Sequence, residues 1–182
     1  MNINQLNKLP TFVLALLIVI LNGFVSLAFS QQNDITVIDS TVQVQTITKK
    51  EVNPDSLLQF AKRYLGTPYR LSGKTSKGFD CSGFVHYVYK RFDVKVPYSC
   101  PAISSACPVK VTKTELQKGD LLFFKGSNIK SKAIGHIAIV YAVEDGKIRM
   151  IHSCRRGVIL ETLNESKYYK ARYLFAKRIL CD

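Results

Sequence analysis

Acidic side chains are scarce in this sequence. Its 182 residues include 13 Asp and Glu against 26 Lys and Arg, a net charge of +13. That excess favours an anionic surface, whether nucleic acid, membrane or acidic polymer. Two further absences narrow the choice. No block of basic residues is interleaved with stacking aromatics, which argues against nucleic-acid binding. No internal repeat occurs, so an array of repeated binding modules is excluded. Apolar residues make up 47% and charged residues 21%. That composition supports a packed core and argues against general disorder. The length suits one ordinary domain plus a leader.

Charge is nearly missing from the N-terminus, where Lys8 is the one charged side chain in residues 1–30. An apolar run from Phe12 to Leu21 follows, then Asn22-Gly23 and "VSLAFSQ". A short positive region, an apolar region and small residues at the end are the pattern of a cleaved export signal. Ala28-Phe29-Ser30 fits a cleavage site before Gln31. The competing reading is an uncleaved membrane anchor, since Thr11 to Phe29 is almost long enough to span a bilayer. Asn22, Gly23 and Ser26 weaken that reading. No Cys lies near the end of the run, so nothing marks a lipid-anchored terminus. Removing residues 1–30 takes away Lys8 and leaves 25 basic against 13 acidic residues, about +12. Residues 31–53 are polar and read as a tether, with the compact domain over 54–182. The exported chain is expected outside the cytoplasm, in the periplasm or the extracellular space.

Export places the five cysteines in a compartment where disulfides are allowed. Five is odd, so at least one is free or pairs between molecules. Cys100 and Cys107 flank "PAISSA", and a bond between them would close a short loop worth roughly 2–3 kcal/mol.

Apolar spacing predicts a helix capped by Asp55 or Ser56 and running to Leu65, where Gly66 and Pro68 stop it. Residues 69–78 read as a loop. A second helix is predicted from Cys81 to Arg91, with Phe84, Val85, Val88, Tyr89 and Phe92 as its buried stripe. "VPYSCPAISSACPV" reads as irregular with one helical turn. From Gly119 onward "DLLFF", "HIAIVYAV", "KIRMIHSC", "GVILETL" and "YLFAKRIL" are β-rich runs between turn residues. Helices followed by about five strands predict an α+β domain with an antiparallel sheet.

Cys81 sits at the start of the second helix, with Asp80 as the expected N-cap. Gly78 and Gly83 on either side let another group approach the backbone. A thiol at a helix N-terminus feels the positive end of the dipole, which lowers its pKa. A small buried thiol is the bland alternative, and chemistry requires a base in reach. Histidine is scarce, with three in the chain. His86 lies about 140° around the helix from Cys81 and reads as a packing or surface residue. His136 and His152 fall on consecutive strands joined through Glu144-Asp145-Gly146. A three-residue loop there would place Val143 opposite Lys147, so that opposing residue numbers sum to 290. His136 would then face Cys154 and His152 would face Ala138. Both imidazoles would project from one face, roughly 5–8 Å apart. A two-residue loop would change the sum to 291 and separate them. A helix-start thiol with two same-face imidazoles makes a nucleophile, a base and an orienting group. Cys with two His is also a zinc ligand set. Catalysis is preferred, because no local ligand spacing or nearby carboxylate completes a metal site.

"LGTPYRLSGKTSKGFDCSGFVHYVY", "VPYS", "LQKGDLLFF" and "GHIAIVYAVEDGKIRMIHS" together resemble the NlpC family of bacterial cell-wall cysteine peptidases. The resemblance covers about residues 56–180, with four motifs in the family's order. It implies a papain-like α+β fold and hydrolysis of peptidoglycan stem peptides, typically between γ-D-Glu and the diamino acid. It implies Cys81 as nucleophile, His136 as base and His152 as third member, with no metal or other cofactor. Tyr69 matches a tyrosine beside the oxyanion position. Asp80 and Ser82 match positions that contact the stem's free amine and the D-Glu carboxylate. For Asp80 this competes with helix capping.

Three features depart from the family pattern. Ser72-Gly73 stands where two glycines are usual, and a left-handed backbone at Ser72 would be strained. Tyr98 replaces a basic residue, and Cys100, Cys107 and Cys154 are extra. Two rivals share the thiol chemistry: an amidase or acyltransferase, and an exported toxin against a competitor's wall. A third, from a different class, is a wall-binding module without activity. The expected partners are stem peptides and, weakly and in a salt-dependent way, the anionic envelope. Nothing in the sequence supports an oligomer.

Overall fold

The computed structural model describes residues 51–180, which all fall in one compact unit. The leader and most of the tether predicted for residues 1–53 lie outside the described residues. Among those described, no helix is long and apolar enough to cross a membrane.

Helix α1 (Pro54–Lys62) starts two or three residues earlier than the expected Asp55 or Ser56 cap would give. Asn53 is the cap, its side chain accepting from the Asp55 and Ser56 amides, and Pro54 occupies the first turn, where a missing N–H costs nothing. The helix ends at Lys62 rather than Leu65, and turns carry the chain to Gly66. A short hairpin follows, β1 (Lys74–Thr75) with β2 (Gly78–Phe79), and leads into α2 (Cys81–Lys90). Leu57, Leu58 and Ala61 of α1 pack with Phe84, Val85, Val88 and Tyr89 of α2. The segment read as one helical turn is a seven-residue helix, α3 (Cys100–Ala106), capped by Ser99.

Six strands form the main sheet, one more than the sequence suggests. They are β3 (Val109–Val111), β4 (Leu121–Lys125), β5 (Ile134–Glu144), β6 (Lys147–Cys154), β7 (Gly157–Thr162) and β8 (Tyr173–Arg178). Their order is β3-β8-β4-β5-β6-β7, and every pairing is antiparallel. The additional strand, β3, is a three-residue edge, too short to show alternation. Helix α4 (Lys167–Arg172), capped by Ser166, leads into β8.

The two faces of the sheet bury different sets. Leu121, Phe123, Ile137, Ile139 and Ile151 pack with α1, α2 and α3. Leu122, Phe124, Ala138, Val140 and Met150 pack with Tyr169 of α4. Arg178 of β8 holds the buried Asp120 carboxylate through Nε at 2.7 Å and Nη2 at 2.9 Å, pinning the turn before β4. Tyr89 of α2 donates its hydroxyl to the Gly119 carbonyl in that same turn.

The β5–β6 hairpin corrects the expected loop. Glu144 pairs with Lys147, so the connection is the two residues Asp145-Gly146, both at positive φ (49° and 71°). This is the turn that matches strand twist and favours Asp-Gly. The opposing numbers there sum to 291. Tyr141 is then left as a bulge, and from Val140–Met150 onward the sum is 290. The expected same-face placement of the histidines therefore holds for a reason other than loop length. The ladder ends at Ile139–Ile151, so the expected His136–Cys154 and His152–Ala138 pairs are not part of it.

The loop containing Ser72 adopts the strained conformation. Ser72 has φ 56°, left-handed although it carries a side chain. The adjoining Gly73 accepts the Asp80 amide at 3.0 Å. A Cβ on Gly83 would sit 2.0 Å from the Gly73 carbonyl oxygen. Glycine at 83 therefore lets the loop lie directly on the first turn of α2. Gly83→Ala is expected to destabilise the domain by about 1–3 kcal/mol, because overpacking outweighs the gain in helix propensity. Urea unfolding beside Gly126→Ala, where the nearest atom lies 3.6 Å from the added Cβ, separates the clash from general glycine effects.

Candidate active site

Cys81 is the first residue of α2, half-buried. Asp80 caps that helix as expected: its Oδ1 accepts the Gly83 amide at 2.6 Å and the Ser82 hydroxyl at 3.0 Å. Ser82 is buried (7% exposed) with its proton given to Asp80. The Ser153 hydroxyl of β6 donates to the Phe79 carbonyl at 2.8 Å. That bond ties the residue beside His152 to the segment just before the thiol.

The two imidazoles meet. His136 Nε2 lies 2.9 Å from His152 Nδ1. Tyr169 walls the pair in, its ring stacked with His136 at 5.3 Å and edge-on to His152 at 4.9 Å. His152 is fully buried. Burial, followed by the positive fields of His136 and Arg156, pushes its pKa down to about 3. It is therefore a neutral ring. Its Nε2 lies 3.4 Å from Glu161 Oε2, without hydrogen-bond geometry, while Arg156 holds the same oxygen at 2.5 Å. A neutral His152 with its proton on Nε2, facing Glu161, presents an acceptor Nδ1 to His136. His136 Nε2–H then donates, which leaves its Nδ1 for the thiol.

Cys81 is held as a thiolate, its pKa pulled down to about 5. The largest cause is a hydrogen bond from Cys100, whose Sγ is 3.7 Å away; burial opposes it, and a hydrogen bond and the charge of His136 reinforce it. Cys100 is pushed up by the same contact, by burial and by the Cys81 charge, and remains a thiol. Tyr69 bridges to Phe79 beside the hairpin. Burial and the negative fields of Cys81 and Asp80 raise its hydroxyl pKa, so it stays a donor beside the thiolate.

The structure thus brings Cys81, His136 and His152 together, with Tyr69, Asp80 and Ser82 around the thiol. His86 is turned away, bonded through Nδ1 to the Val96 carbonyl and packed on Tyr98 at 3.9 Å. Among the described residues, no group of three or more His, Cys, Asp or Glu is placed to hold a metal. The Cys100–Cys107 clip is corrected. The two residues stand at opposite ends of α3, and seven residues of helix rise about 10 Å, beyond the roughly 7 Å that a disulfide bridges. Cys100, Glu161 and Tyr169 were not singled out as site residues. Cys100 is the sole one with a signal, a cysteine at the start of a short helix after "VPYS".

A family model described as the NlpC/P60 family matches residues 66–178. The chain belongs to the NlpC/P60 family. It is 39% identical over 128 residues to a γ-D-glutamyl-L-lysine dipeptidyl-peptidase of Bacillus cereus, covering 69% of this chain and 36% of that protein. It is 33% identical over 141 residues to a γ-DL-glutamyl hydrolase of Bacillus subtilis, covering 75% and 32%. The chain therefore matches about a third of the length of each of these NlpC/P60 relatives. The crystal structure of a B. cereus NlpC/P60 protein superposes with TM-score 0.64 at 35% identity, covering 72% of this chain and 41% of that one.

Two pH dependences follow from the NlpC/P60 site. Alkylation of Cys81 by iodoacetamide is expected to rise through pH about 5 as the thiolate forms, well below an ordinary thiol. Mapping the labelled peptide between pH 3 and 9 checks this. For His152 the folded pKa, about 3, lies below the ordinary 6.5. The unfolded chain therefore takes up this proton first, and stability falls as pH drops from 6.5 towards 3. In the fully buried ring's absence, as in His152→Asn, that part of the pH slope is expected to vanish in denaturant titrations.

Proposed function

We propose that this protein is an exported cysteine endopeptidase that hydrolyses peptidoglycan stem peptides between γ-D-Glu and the diamino acid. The observation that carries this reading is the Cys81 thiol at a helix start, acted on by His136, whose ring meets His152 at 2.9 Å. Family membership supports the hydrolase class, and the two named relatives, both acting on glutamyl bonds, support the bond type. Export is proposed from the leader pattern of residues 1–30, and the positive charge would hold the enzyme loosely at an anionic envelope.

In this reading the Cys81 thiolate attacks the γ-carbonyl carbon of D-Glu. The Cys81 amide and the Tyr69 hydroxyl donate to the resulting oxyanion. As the C–N bond breaks, the proton on His136 Nδ1 passes to the leaving amine, giving a thioester. His136, now neutral, takes a proton from water, hydroxide adds to the thioester, and the Cys81 thiolate departs. Neutral His152 accepts from His136 throughout and keeps its ring turned to the thiol. Asp80 caps the helix with Oδ1, and its Oδ2 is proposed to face the free amine of the stem, a charge-assisted contact. Ser82 would reach the D-Glu carboxylate by rotating its proton away from Asp80.

Digestion of purified muropeptides with mass spectrometry of the products tests the reading. Products ending in γ-D-Glu are expected. Release of the whole stem from the sugar would identify an amidase, and no product from any wall would favour a binding module. Cys81→Ser is expected to lower turnover about a thousand-fold or more while leaving the fold intact by circular dichroism. Full turnover in that variant would remove Cys81 from the mechanism.

A further inference from the structure

Cys100 is not needed by the hydrolytic steps, yet it is the nearest thiol to the proposed nucleophile. Its Sγ lies 3.7 Å from that of Cys81. Each cysteine is the first residue of its helix, so the N-termini of α2 and α3 converge on one pair of sulfurs. Cys100 is 7% exposed, whereas Cys81 is half-open to solvent. A disulfide needs its sulfurs at about 2.05 Å, so the pair must close by about 1.6 Å.

We propose that Cys81 and Cys100 form an oxidation site in which Cys100 resolves a peroxide-oxidised Cys81 as a reversible disulfide that switches the hydrolase off. It rests on the reading of Cys81 as the nucleophile. The Cys81 thiolate attacks one oxygen of hydrogen peroxide; the S–O bond forms, the O–O bond breaks, and the departing hydroxide takes a proton to become water. The sulfenic acid is uncharged. The Cys81 charge and hydrogen bond that help keep Cys100 protonated are then gone, and its proton can pass to the leaving hydroxide as the sulfur attacks. Cys100 sulfur attacks Cys81 sulfur, the S–S bond forms, the S–O bond breaks, and the second hydroxide leaves as water with the proton from Cys100. Two thiols and one peroxide give one disulfide and two waters. A dithiol reductant returns both thiols and is itself oxidised. The reactive partner is the exposed thiolate and the resolving partner the sheltered thiol, the division of labour expected of a redox-sensing pair. Without Cys100, a second peroxide would carry Cys81 to the sulfinic acid, which dithiols do not reduce.

The test exposes the full reduced chain to hydrogen peroxide and digests it with trypsin without reduction. A cross-link between the peptides spanning 78–90 and 96–110 is expected, with fragmentation placing it at Cys100 rather than Cys107. Muropeptide hydrolysis is expected to fall about ten-fold or more and to return with dithiothreitol. Cys100→Ser and Cys100→Ala, each compared with its own untreated activity, are expected to lose activity that dithiothreitol does not return. In them Cys81 should appear as sulfinic acid. Sulfinic Cys81 in the native chain without the 81–100 link, or recovery in either variant equal to the native chain's, overturns the proposal. A chain that forms the link but hydrolyses no muropeptide upholds the oxidation site and overturns the hydrolase reading instead.

Discussion

Side chains alternate across a β-ladder, so two residues on neighbouring strands share a face only in one of two registers. The site depends on that constraint at the β5–β6 hairpin. The Asp145-Gly146 turn suits the strand twist and fixes Glu144 opposite Lys147. Carried to the ends of the strands, that register would point His136 and His152 to opposite faces. The bulge at Tyr141 adds one residue to β5 and reverses the parity. Turn and bulge together put both rings on the face covered by Tyr169, 2.9 Å apart. Neither alone would do so.

Once the rings share a face, burial decides their roles. A fully enclosed imidazole cannot easily carry charge, so His152 stays neutral and acts as an acceptor. His136 is half-buried, the less enclosed of the two rings, and lies beside the Cys81 thiol. Glu161 faces the far nitrogen of His152, while Arg156 neutralises that carboxylate and adds to the field that keeps His152 uncharged. The polarity of the line from thiolate to buried ring follows from depth below the surface more than from residue type.

Much of this was legible because it obeys short periods. The stripe of α2, the Asp80 cap and the five longer strands are all patterns within ten residues. So was the meeting of the two imidazoles, since two of the chain's three histidines fell on adjacent strands. The parity argument reached the correct face by a compensating pair of departures: the loop is one residue shorter than expected and the strand one residue longer. A bulge carries no compositional mark in "HIAIVYAVED", where every residue suits a strand. Ser72 misled differently, because a left-handed backbone is costly for serine, yet the Gly73–Gly83 approach and the Asp80 amide bond hold it there. The edge strand β3 and helix α4 were too short to show a period. Glu161 and Tyr169 reach the site through the sheet, at sequence distances no local pattern spans.

The two helix starts explain why the extra cysteine at position 100 is not simply one more buried thiol. A hydrogen bond donated to a thiolate is strong because it is charge-assisted, so the Cys100 thiol packed against Cys81 favours the Cys81 thiolate at neutral pH. The same lowering of pKa raises the fraction of Cys81 open to oxidants. Hydroxyl donors would supply the first effect without relieving the second. A thiol donor does both: while Cys81 is reduced it stabilises the anion, and once Cys81 is oxidised it is already within a short closure of the sulfur it must attack. In the proposed reading, activation and protection draw on one contact, and its geometry is set by the capping of α2 by Asp80 and of α3 by Ser99.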